Sequence, residues 1–64
     1  MKKVIVKDIK GLDEEVISKI KNPMIYIKDY IENNTLFVEL KNSKTGEIIR
    51  IFPERIIDYK SLKY

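Results

Sequence analysis

Between Met24 and Phe52, apolar and polar residues alternate in three consecutive runs separated by two polar breaks, Asn33-Asn34 and Asn42-Ser43-Lys44-Thr45-Gly46. A period of two residues marks strands that turn one face inward. The stretch therefore reads as a three-stranded antiparallel meander. Asparagine tolerates positive φ, so a two-residue Asn33-Asn34 turn sets the first register, with Glu32 facing Thr35, Tyr30 facing Phe37 and Lys28 facing Glu39. At the second break, a four-residue loop Asn42 to Thr45 pairs Lys41 with Gly46, Val38 with Ile49, Phe37 with Arg50 and Leu36 with Ile51. Both registers put Ile25, Ile27, Ile31, Leu36, Val38, Leu40, Ile49 and Ile51 on one inward face. Asp29 is discordant because it lies opposite Val38. An unpaired buried carboxylate is costly, so either a bulge turns Asp29 outward or it sits at an open edge of the core.

The flanking segments complete the architecture. Lys3 to Ile9 reads as a first strand, with Val4 and Val6 on one side and Ile5 and Lys7 on the other, ended by Gly11. Leu12, Val16 and Ile20 recur four apart, which predicts a short helix or helical turn over Asp13 to Lys21. Asp13 is its expected cap, Glu14 and Glu15 sit at the positive end of its dipole, and Asn22-Pro23 stops it. Pro53-Glu54-Arg55 reads as one turn of 3₁₀ helix and Ile56 to Tyr59 as a short last strand, followed by a frayed tail from Lys60 to Tyr64. This order is the layout of a mostly β, SH3-like small barrel. The alternative is an open α+β sheet with the Asp13 to Lys21 helix packed across one face.

Composition narrows the function. A chain of 64 residues is expected to form one domain that buries only about 60% of its unfolded surface. It contains no cysteine and no histidine, so disulfides and structural zinc cannot staple it. The same absence leaves acid-base or nucleophilic chemistry to carboxylates, lysines, tyrosines and a few hydroxyls, none paired at a recognisable spacing. No enzyme activity and no cofactor are expected. The Asp13-Glu14-Glu15 cluster is explained by the helix dipole rather than by a metal. No apolar run approaches the ~20 residues that cross a bilayer, and Val4-Ile5-Val6 is too short for a signal-peptide core. A cytoplasmic protein with no membrane partner is expected, and Asn33-Asn34-Thr35 is read as a turn rather than a glycosylation site.

The remaining chemistry lies on the outward face of the meander, where the alternation puts Tyr26, Lys28, Tyr30, Phe37, Ile48 and Arg50 together, with Glu39 among them. Aromatic and apolar groups interleaved with cations suit nucleic acid, since rings meet bases or sugars and cations meet phosphates. With thirteen Lys and Arg against ten Asp and Glu, a formal charge of +3 predicts weak, salt-dependent binding. The same side chains suit a protein partner, because aromatic and arginine clusters concentrate interface energy. A small accessory or viral subunit docking through this face or a strand edge is the alternative, as a monomer or a homodimer. The face could also serve the sheet alone, through cross-strand pairs, or be covered by the helical segment.

The stretch Phe37-Val38-Glu39-Leu40-Lys41 through Lys44-Thr45-Gly46 to Arg50, preceded by Lys19-Ile20-Lys21 and a tyrosine-bearing strand, resembles the small SH3-like chromatin proteins of crenarchaea, the seven-kilodalton DNA-binding class. That resemblance implies a triple-stranded sheet laid on the DNA minor groove, with an inserted apolar side chain kinking the duplex. It further implies that Tyr26, Lys28, Phe37 and Arg50 face DNA, with Ile48 as a neighbouring apolar contact.

Overall fold

The two polar breaks are where the chain turns. In the computed structural model, which describes residues 2–57 and 59, β1 (Lys3–Val4), α1 (Glu14–Ser18), β2 (Met24–Glu32), β3 (Thr35–Lys41), β4 (Ile48–Ile51) and a 3₁₀ turn (Pro53–Arg55) follow in that order. The four strands make one antiparallel sheet, β1-β2-β3-β4. Beyond the 3₁₀ turn the chain returns to its own beginning. Val6 bridges Ile56, the Lys7 N–H donates to the Arg55 carbonyl (2.8 Å), and the Ile57 N–H donates to the Ile5 carbonyl (3.0 Å). This return curls the sheet into a half-barrel, the SH3-like small β-barrel layout. The short last strand expected over Ile56 to Tyr59 is reduced to this bridge, and Asp58 and the tail Lys60 to Tyr64 lie outside the described residues.

The first strand is also shorter than its pattern suggests. Only Lys3 and Val4 pair with β2, opposite Ile25 and Met24. At Val6 the chain has left that ladder, and the Asn22 side chain takes both of its backbone groups: the Val6 N–H donates to Asn22 Oδ1 (2.9 Å) and Asn22 Nδ2 donates to the Val6 carbonyl (3.0 Å). A side-chain amide here does the work of a neighbouring strand, which satisfies groups that would otherwise be costly to bury. Val4 and Val6 do share the interior side, both being buried.

The helix is likewise compressed, to Glu14–Ser18. Its last turn tightens to i→i+3 bonds, Lys19 N–H to the Val16 carbonyl and Ile20 N–H to the Ile17 carbonyl, each 3.0 Å. Asp13 occupies the N-cap position but makes no capping side-chain bond, whereas Glu14 and Glu15 do lie in the first turn. Five residues are too few to cover a sheet face. Leu12, Val16 and Ile20 instead pack against the buried cluster of Val4, Val6, Met24, Val38, Leu40, Ile49, Ile51 and Ile56. The open α+β alternative is thereby set aside, and so is the idea that the helical segment covers the outer face.

The first hairpin has the expected register: Glu32 faces Thr35, Tyr30 faces Phe37 and Lys28 faces Glu39, with Asn33 and Asn34 at φ 52° and 60°. The second differs by two residues. Val38 pairs with Ile51, Glu39 with Arg50, Leu40 with Ile49 and Lys41 with Ile48. Asn42 causes the shift, because it joins the ladder instead of the loop: its N–H donates to the Glu47 carbonyl (2.8 Å) and its carbonyl accepts from the Gly46 N–H (2.8 Å). Gly46, at φ 79°, closes the turn. The Asn42 side chain is buried, yet fully used. Nδ2 donates to the Lys19 carbonyl (2.9 Å), and Oδ1 accepts from the N–H groups of Lys44 (2.8 Å) and Thr45 (3.2 Å). A shift of two preserves side-chain parity, so Ile49 and Ile51 remain inward.

Candidate binding face

A bulge in β2 decides which side chains share the outer face. Tyr26 pairs with Leu40 and Lys28 with Glu39, so Ile27 is the extra residue. One extra residue reverses parity on its N-terminal side. Consequently Tyr26 turns inward and packs against the core, and Met24 becomes completely buried. Ile25, expected inside, turns outward opposite Lys3 and Lys41. Tyr26 is therefore withdrawn from the candidate site. Ile27 is 41% exposed, and Ile31, although it pairs with inward Leu36, lies past the end of the core at 73%.

Asp29 keeps its inward position opposite Val38. Of the two outcomes considered for it the second holds: Asp29 is partly buried at the open end of the core, beside exposed Ile31, and two tyrosines hold its carboxylate. The Tyr26 hydroxyl donates to Asp29 Oδ1 (3.0 Å) and the Tyr59 hydroxyl donates to Oδ2. Hydrogen bonds from neutral donors stabilise a carboxylate that has lost part of its water. Asp29 thus ties β2 to the segment after the 3₁₀ turn.

The five other expected residues come together on the outer face, ordered by the registers into rows across the strands. One row holds Lys3, Ile25, Lys41 and Ile48, and the next holds Lys28, Glu39 and Arg50. A third holds Tyr30 and Phe37, extended by Phe52 just past β4, and the last, at the hairpin, holds Glu32 and Thr35. The third row is a chain of rings: Tyr30 to Phe37 at 5.9 Å between centroids and Phe37 to Phe52 at 5.4 Å, the latter stacked. The Lys28 ammonium lies 5.6 Å from the Tyr30 ring centre and the Arg50 guanidinium 4.5 Å from that of Phe37. Both are within the range where a ring face attracts a cation.

Arg50 is the most connected group of the face. Its Nη1 donates to the Tyr30 hydroxyl (3.5 Å) and to Glu32 Oε1 (3.2 Å), which is also an ion pair. The bond to Tyr30 first, and then that to Glu32, hold its pKa above the ordinary arginine value. Both partners of the ion pair are about half exposed, which makes the pair a weak contributor to stability. Ile48 is 53% and Phe52 41% exposed.

The alternation alone left Phe52, Ile25 and Lys3 out of this face. Phe52 has the parity of Ile48 and Arg50 and could have been found by extending that count one step past β4. Ile25 could not, since its side depends on the Ile27 bulge; Lys3 has the outward parity that Val4 and Val6 imply, but its pairing with Ile25 had no signal. Arg55, by contrast, is structural: it is drawn into the fold by the carbonyls of Asp8 (3.2 Å) and Lys10 (2.7 Å). Among the described residues no helix is long and apolar enough to cross a membrane.

Compared with known proteins, the chain finds no matching family model, no matching curated protein and no matching solved structure. Any reading of this face rests on its own residues.

Proposed function

We propose that this chain is a non-enzymatic binding module that holds nucleic acid, weakly and in a salt-dependent way, on the outer face of β2, β3 and β4. The observation that carries the reading is the layout of that face. Four cations, Lys3, Lys28, Lys41 and Arg50, stand with the ring row Tyr30-Phe37-Phe52 against two carboxylates, Glu32 and Glu39. Cations supply the sequence-independent attraction to phosphates, and rings supply a π-face that any base or sugar can meet. The small surplus of charge keeps the affinity low. Titration of labelled nucleic acid at low and physiological salt tests it: binding that weakens linearly in log salt supports the reading, and no binding at low salt removes it.

A protein partner is the second reading, favoured by the exposure of Ile48 and Phe52 and by the position of β4 at an edge of the sheet. An edge strand offers unpaired backbone groups to an incoming strand. In that case Phe37→Ala and Ile48→Asp weaken binding most, and salt matters little.

A further inference from the structure

Resting on the nucleic-acid reading, we infer that the face is built for a single strand rather than a duplex, with the phosphate line on one side of the ring row and the bases lying over it. The rows are asymmetric. Away from the Asn33-Asn34 turn lie the rows Lys28-Glu39-Arg50 and Lys3-Ile25-Lys41-Ile48, which set three lysines against the one carboxylate of Glu39, while the Arg50 guanidinium reaches back over Phe37 to Glu32; on the turn side lie Glu32, the uncharged Asn33-Asn34 and Thr35, and no lysine.

A duplex groove presents phosphates along both of its walls, so seating one over the ring row brings its second backbone against Glu32. A single strand has one phosphate line beside one line of bases, which matches one cationic flank beside one row of rings. Stacking on aromatic side chains tolerates any base and suits strands whose bases are already free. Tyr30 and Phe52 offer ring surface at the two ends of the row. Between them Phe37 lies under Arg50, whose guanidinium plane is itself a stacking surface for a base.

Glu32 then acts against the ligand, because it holds Arg50 at 3.2 Å and competes with phosphate for it. Removing that carboxylate frees a cation and relieves a repulsion at once, so Glu32→Gln is a gain-of-binding variant, an outcome that misfolding cannot imitate. Phe52, 41% exposed, can be truncated with little effect on the fold.

The experiment is a fluorescence titration of the full chain with labelled oligothymidylate and with a hairpin duplex of equal phosphate number, at matched low salt, for the unmodified chain, Phe52→Ala and Glu32→Gln. The expected result is a preference of about tenfold or more for the single strand, the size of one good stacking contact. Phe52→Ala should erase most of that preference while leaving duplex binding in place, and Glu32→Gln should tighten single-strand binding several-fold. Equal or tighter binding of the duplex, or Phe52→Ala binding the single strand as the unmodified chain does, overturns the single-strand inference and leaves the nucleic-acid reading standing. Failure of both probes at low salt overturns the two together.

Discussion

Along β3 the side chains alternate between two conditions: Val38 and Leu40 have no solvent exposure at all, while Phe37, Glu39 and Lys41 between them are partly open. The inward set meets Met24, Ile49, Ile51 and the N-terminal valines in one cluster. The outward set meets only its neighbours across the sheet, in ring and cation pairs. An apolar side chain inside is held by the water it excludes, about 25 cal/mol per Å². An aromatic outside gains much less, so stability alone is a poor reason for Phe52 and Ile48 to stand exposed beside half-buried Phe37. The inner face makes the fold, and the outer face is where a partner would be met.

That contrast can be broken most forcefully by exchanging truncations between the faces. Leu40→Ala should cost about 2–5 kcal/mol in urea unfolding, the transfer loss plus the cavity it leaves. Much of the stability of so small a domain would go with it. Phe37→Ala, a larger truncation one strand position from Val38, should cost no more than about 1.5 kcal/mol. Equal costs would mean that the outer face is a second core.

Asn42→Ala is next in size. It removes the acceptor for two loop N–H groups and the donor to the Lys19 carbonyl, so a loss of about 1–3 kcal/mol is expected by chemical denaturation. Hydrogen exchange should show the effect at Lys44 and Thr45 first.

Smallest in stability and largest in binding are the charge changes. Lys28→Ala and Arg50→Ala should each leave the unfolding midpoint nearly unchanged, because exposed pairs add little to stability. Each should also lower the slope of log affinity against log salt by about 1. A variant that loses stability without altering the slope would place its cation in the fold rather than at the ligand.

Much of this division was legible in the chain, and its failures have local causes. The Asn33-Asn34 turn gave the first register because both residues adopt the positive φ that such a turn needs. The second slipped by two because Asn42 looks like a loop residue but is buried as a strand end, held by a hydrogen bond to a helix end twenty-three residues away in sequence. The Ile27 bulge had no local signal. Ile25, Tyr26 and Ile27 all fit a strand in either parity, and what selects the bulge is the long-range result: Met24 filling the core and Tyr26 reaching Asp29. The valines of the first strand kept their inward side, although beyond Val4 its partners are the Asn22 side chain, at Val6, and the returning Arg55 to Ile57 segment, at Ile5 and Lys7. On the candidate face, Lys28, Tyr30, Phe37, Ile48 and Arg50 stand together as the alternation implied, Tyr26 does not, and Phe52 joins them.

The most direct test of the account is a ¹⁵N-resolved NMR titration of the chain with an oligonucleotide at low salt. Amide shifts are expected only in the outward rows, at Lys28, Tyr30, Phe37, Lys41, Ile48, Arg50 and Phe52, with Val38, Leu40 and the α1 residues unmoved. Saturating shifts centred instead on α1 or the Asn42 to Gly46 turn, or no shifts at any excess of ligand, would contradict it.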